Sequence, residues 1–129
     1  MNNRINYTTE LSTQNSTVNM ELTLISFIED NVYFVYCPAL DLTGYGDNEK
    51  EAKNSFSQTL KMYIDYTTDK KTFIQDLEGH GWMVKNRKNL KSPDFDFLLQ
   101  YNKQFKSIVN KRNFSKFKEE IQLSESVYS

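Results

Sequence analysis

Two runs of strand-forming residues open the ordered part of the chain. Residues 20–28 carry Leu22, Leu24, Ile25, Phe27 and Ile28, and residues 32–37 read Val-Tyr-Phe-Val-Tyr-Cys. The short polar segment Glu29-Asp30-Asn31 lies between them, and this predicts a β-hairpin. Pro38 ends the second run, because proline has no N–H to give to a ladder. Residues 40–46 then predict a third, short strand, with Gly44 and Gly46 freeing the backbone at its end. The hydrophobic period next changes from two to 3.6. Ala52, Phe56, Leu60, Tyr63 and Ile64 form one stripe, which predicts a helix from Asn48 to about Tyr66. Asn48 is its N-cap, Glu51 has the capping-box spacing, and Glu49 and Glu51 suit the positive end of the helix dipole.

A second, short helix starts at Thr72, with Gln75 at capping-box spacing, Phe73, Ile74 and Leu77 as its apolar side and Gly79 as its stop. Residues 81–85 read as a fourth strand. The order β-β-β-α-α-β defines an α+β fold, a small antiparallel-rich sheet with helices on one face. Residues 87–92 form a polar, basic connection. Ser92-Pro93 has the pattern of N-cap and first helical position, and Asp94 and Asp96 favour the dipole. Phe95, Leu98, Leu99, Asn102, Phe105, Ile108 and Val109 then share one helical face, with Asn102 its single polar member. Phe114 and Phe117 suggest a helical turn, Ile121 and Leu123 alternate as an edge strand would, and residues 124–129 read as a tail. Residues 2–19, mostly Asn, Ser, Thr and Gln, predict a flexible leader, and Met20 is an alternative start. The expected organisation is a leader (1–19), an α+β domain (20–86) and a basic helical extension with its tail (87–129).

Charge sharpens this division. The 129 residues carry 16 basic and 17 acidic side chains, a net charge of -1. Residues 1–80 hold 6 basic and 12 acidic residues, whereas residues 81–129 hold 10 basic and 5 acidic. Neutrality is therefore a cancellation of an acidic part and a basic part, which suits two partners of opposite sign. The longest near-continuous apolar run, residues 32–37, is too short to span a bilayer. No signal-peptide pattern opens the chain, and one cysteine excludes an internal disulfide framework. The expected compartment is the cytoplasm.

Catalytic constellations are scarce. His80 is the only histidine, between two glycines, and Cys37 sits in an apolar run without a CxxC companion. One Cys and one His cannot make a zinc site without carboxylates. Gly44-Tyr45-Gly46 is weak as a phosphate loop, because acids rather than lysine follow it. The opening hairpin, strand and helix match the start of an RNase H-like sheet, yet a nuclease of that kind needs acids converging on metal ions. Asp30 lies in a turn, Asp41 near the short strand and Asp47 at the helix start, so nothing places them together and no catalytic, metal or cofactor-binding residue is assigned. Lys85, Arg87, Lys88 and Lys91, clustered near Trp82, are the candidate nucleic-acid contacts, since such clusters neutralise phosphates.

The segment Pro38-Ala39-Leu40, followed by Gly44-Tyr45-Gly46-Asp47-Asn48 and Glu51-Ala52, resembles the HicB-like antitoxin family. Pro38, Leu40, Gly46, Asp47, Glu51 and Ala52 match its pattern, with Asn48 where Thr is usual and a spacer one residue shorter than the commonest. The likeness covers about residues 20–85, and Gly79-His80-Gly81-Trp82 matches one branch. The resemblance implies a partial RNase H-like domain without catalytic acids. It further implies a non-enzymatic antitoxin that occludes a small, basic, HicA-like mRNA-degrading toxin. Glu29, Asp30, Asp41 and Asp47 are the candidate toxin-binding acids, since complementary charge speeds and orients docking. Residues 86–129 match neither DNA-binding module usual in the family. A nucleic-acid-binding regulator and an oligomeric structural protein, whose C-terminal amphipathic helix docks on a second copy, are the alternatives; a homo-oligomer is expected.

Overall fold

The computed structural model describes residues 2–6, 17–86, 89–124 and 127. Strand β1 (Asn2–Asn6) is followed by the long β2 (Thr17–Glu29), β3 (Val32–Cys37) and β4 (Leu42–Gly46). Helices α1 (Glu49–Asp69) and α2 (Phe73–Gly79) come next, then the short strands β5 (Met83–Asn86) and β6 (Asn89–Lys91). Helices α3 (Phe95–Tyr101) and α4 (Lys103–Lys111) lead into β7 (Phe114–Ser124). The fold is α+β, and the predicted order from the hairpin through two helices to a further strand is present.

The sheet runs in the order β1-β7-β2-β3-β4. β2 and β3 are joined by Asp30 and Asn31, both at positive φ (53° and 66°), the two-residue turn whose twist suits a tight hairpin. β7 lies antiparallel to β2 from Thr17↔Ser124 to Phe27↔Phe114, and β1 adds parallel to β7. β6 pairs parallel with β2 at Asn19 and Met20 and antiparallel with β5.

Two layers of helix cover the sheet. Gly44 and its paired Val35 face α1, where a Cβ on Gly44 would come within 2.2 Å of the Phe56 backbone nitrogen. Register carries that face to Ser26, Leu24, Leu22 and Met20 on β2 and to Phe117, Ile121 and Leu123 on β7. Against it pack the α1 side chains Phe56, Leu60 and Ile64, with Phe73 and Leu77 of α2 in the same core. Each such buried Leu or Phe stabilises the fold by roughly 1.5–3 kcal/mol relative to exposure. The opposite face presents Ile25, Phe27 and Tyr36, and α4 supplies Phe105 and Ile108 there. Phe95 of α3 meets Phe105 edge-on at 5.1 Å. Helices α1 and α2 thus share one face, as expected, and the C-terminal helices cover the second.

Other expectations change in the second half. The single helix over 95–109 is divided at Asn102. The N-cap of α3 is Asp94, whose side chain accepts from the Phe97 N–H at 2.8 Å, rather than Ser92. Phe114 and Phe117 lie in a strand, not a helical turn, and that strand occupies an interior place in the sheet rather than its edge. The stretch expected to be a helical extension therefore contributes to the same sheet as the hairpin. Within the expected leader, residues 2–6 form β1 and residues 17–19 begin β2, with Val18 fully buried; residues 1 and 7–16 lie outside the described residues. In the tail, Val127 is buried, and residues 125, 126, 128 and 129 lie outside the described ones.

The caps split likewise. Asn48 Oδ1 accepts from the Glu51 N–H at 2.9 Å, and Glu51 Oε1 reaches back to the Asp47 N–H at 3.1 Å, one residue before the expected partner. Thr72 makes no side-chain cap bond. α2 ends at Gly79, as expected, and the left-handed turn follows at Gly81 (φ 90°).

Candidate functional site

The 38–52 pattern has a physical explanation residue by residue. Pro38, Ala39 and Leu40 are buried in the turn after β3, and the Ala39 carbonyl accepts from Trp82 Nε1 at 2.8 Å. Asp41 closes that turn at φ 56°. Gly44 and Gly46 let β4 approach α1 closely, since a Cβ on Gly46 would meet the Glu51 side chain at 2.5 Å. Ala52 is fully buried, and its carbonyl lies 2.8 Å from where a Gly44 Cβ would stand. Glu51 and Asp47 form the helix cap. These residues set the strand–helix junction, so their pattern is a fold signature.

The candidate acids do not gather at one place. Glu29 ends β2, Asp30 sits in the hairpin turn, and Asp47 follows Gly46, which pairs with Tyr33 at that same end. Asp41 lies past the other end of β3, about 17 Å away along five strand residues. Asp30 and Asp47 are exposed, as is Glu49. Glu29 is engaged, with its Oε1 2.7 Å from Arg112 Nη2. That pair corrects the picture of two separately charged surfaces. Arg112 also lies over the Phe27 ring, Lys118 approaches Glu21 at 3.6 Å, and Lys53 lies over the Phe117 ring. Cations from each end of the sequence thus interlock with partners from the other. Beside the acidic end lies an open groove of about 600 Å³, bordered by Ile28, Tyr33, Glu49, Lys111 and Arg112.

The candidate nucleic-acid cluster is only partly visible. Lys91 is exposed at the end of β6, and Lys85 lies in β5. Arg87 and Lys88 lie outside the described residues. Among the described residues, no group of three or more His, Cys, Asp or Glu stands close enough to hold a metal ion. No described helix is long and apolar enough to cross a membrane. Cys37 is fully buried, and burial pushes its thiol up to about 12.

Asn102, the polar intruder in the apolar stripe, is the residue whose role sequence reasoning missed. Its Oδ1 accepts from the Phe105 N–H at 3.0 Å and so caps α4. Its Nδ2 donates to Tyr36 Oη at 2.9 Å and to the Pro38 carbonyl at 3.2 Å. Tyr36 in turn donates to Asp41 Oδ1 at 2.6 Å. Burial first, and then the bond to Asp41, hold the Tyr36 phenol above its ordinary range. Tyr63, bonded to Asp76, is raised in the same way, chiefly by burial.

This network forms one side of a cleft of about 500 Å³ between the 79–81 loop and α3. His80 lines it. His80 Nδ1 lies 2.9 Å from the Asp76 carbonyl oxygen, which can only accept, so Nδ1 carries the hydrogen. Phe97 and Tyr101, one turn apart on α3, also line the cleft, with ring centroids 4.6 Å apart. The sequence signal for them was their position off the apolar stripe of Phe95, Leu98 and Leu99.

No family model matches the chain, and no curated protein or solved structure does so either.

Proposed function

We propose that this protein is a non-enzymatic binding module of the HicB-like antitoxin type, acting in the cytoplasm, which neutralises a small basic mRNA-degrading toxin by covering its active surface. The observation that carries the reading is the 38–52 pattern, in which Pro38, Leu40, Gly46, Asp47, Glu51 and Ala52 coincide with the motif of that family. The exposed acids at the hairpin end, Asp30, Asp47 and Glu49, add charge complementary to a basic partner. The test is co-expression with the product of an adjacent reading frame that encodes a small basic protein. A complex that survives size-exclusion chromatography and suppresses that protein's RNA cleavage is the expected result. Absence of a complex, or cleavage that continues within it, refutes the reading.

A nucleic-acid-binding regulator is the second reading, favoured by Lys103, Lys106 and Lys111, all exposed on α4. A salt series of DNA and RNA binding decides it, because phosphate contacts make affinity fall steeply with salt.

A further inference from the structure

The cleft between the 79–81 loop and α3 brings together two aromatic rings, Phe97 and Tyr101, and two carboxylates, Asp41 and Glu78, which favour a cation. Phe97 is 39% exposed and Tyr101 66% exposed, so both rings offer open surface. Phe97 is held in place from behind. Its ring packs on Gly81, where a Cβ would stand 2.8 Å from Phe97 Cε1, and the positive φ of 90° independently favours glycine there. Two exposed carboxylates, Asp41 from the turn after β3 and Glu78 from α2, border the same cleft. Asp41 is fixed by the Tyr36 hydroxyl, which leaves lone pairs of the carboxylate free to accept further bonds. Leu98 is a buried apolar lining.

We propose that this cleft receives an arginine side chain presented by a basic protein partner. Arginine suits it better than lysine. A guanidinium is planar, stacks on aromatic faces and presents several N–H donors to separate carboxylates at once. The one opposing group is Lys103, exposed at the first position of α4. A cation there meets the positive end of that helix's dipole, so its removal costs no favourable interaction with the helix. The inference deepens the binding-module reading and rests on it for the basic character of the partner.

The test uses a labelled, acetylated hexapeptide of alternating arginine and glycine, and the same peptide with neutral citrulline in place of arginine. Binding to the full-length protein is followed by fluorescence anisotropy. The arginine peptide binds, and the citrulline peptide binds at least about tenfold more weakly, given the size of a cation–π contact joined to charged hydrogen bonds. The double variant Phe97→Ala, Tyr101→Ala loses about tenfold in affinity. Glu78→Gln weakens binding, and Lys103→Gln strengthens it. Those last two side chains are exposed, so both variants retain the fold if the aromatic pair does not. Equal binding of the two peptides, or affinity untouched by both Glu78→Gln and Lys103→Gln, overturns the proposal. The two readings fail separately. A toxin complex unchanged by the cleft variants removes the cleft assignment alone. Arginine-peptide binding at the cleft, with no basic partner forming a complex, removes the antitoxin reading alone.

Discussion

Replacing Asn102 with leucine separates the observed structure from the one its apolar stripe suggests. In a continuous helix over 95–109, leucine would complete the stripe and raise stability. In the structure, Asn102 caps α4 and bonds to Tyr36 and Pro38, so the same change removes three hydrogen bonds. Loss of the cap costs about 1 kcal/mol. Stranding the Pro38 carbonyl adds about 1–3 kcal/mol. Asn102 is only half-buried, so the new side chain recovers about 1 kcal/mol by burial. The net effect is a destabilisation of about 1–3 kcal/mol, or roughly 5–15 °C in Tm for a domain of this size. Thermal and urea unfolding, followed by far-UV circular dichroism and by the single Trp82, measure it. Asn102→Ser keeps a cap oxygen but not the reach to Tyr36, and falls between wild type and leucine. A Tm for Asn102→Leu equal to or above wild type refutes the break between α3 and α4.

Gly44→Ala places a methyl group within 2.2 Å of the α1 backbone and destabilises by about 3 kcal/mol, seen as a lower urea midpoint. Gly79→Ala, with nothing within 4 Å, stabilises by about 0.5–1 kcal/mol in the same assay, because alanine has less backbone freedom to lose. Raising the pH destabilises the protein. Unfolded thiols and phenols ionise near 8.5 and 10, whereas Cys37 is pushed up to about 12 and Tyr36 and Tyr63 are raised. The unfolded chain then binds fewer protons, so stability is complete below about pH 8.5 and falls above it. Cys37→Ala abolishes the first part of that fall and leaves the part beginning near pH 10. A urea midpoint constant from pH 7 to pH 11 contradicts the argument. Deleting residues 1–19 lowers Tm, because it removes buried Val18 and the β2 residues paired with Gln122, Leu123 and Ser124.

The first half of the fold was legible because its signals are local. The Asp30-Asn31 turn, the Asn48 cap and the α1 stripe each depend on neighbours a few residues away. The second half depends on partners far along the chain. Phe114 and Phe117 are three apart, which reads as helical, but β2 supplies an edge that makes them a strand. Asn102 looked like a flaw in a stripe because its partners, Tyr36 and Pro38, are more than sixty residues away. The acids are scattered in sequence, and they remain divided between the two ends of β3. The cleft at His80 was hidden for the same reason, since its walls come from the 38–41 turn, α2 and α3.

The interior place of β7 also bears on how the protein is made. β2 leaves the ribosome with one long edge open, and the strand that closes it begins about 85 residues later. At roughly 5–20 residues per second, the gap lasts some 4–17 seconds. Until then the row Val18, Met20, Leu22 and Leu24 lacks its neighbours Leu123, Ile121 and Phe117. The nascent protein therefore passes through a period in which a sticky, unpaired strand is bare, and a truncated message would release a chain fixed in that aggregation-prone condition.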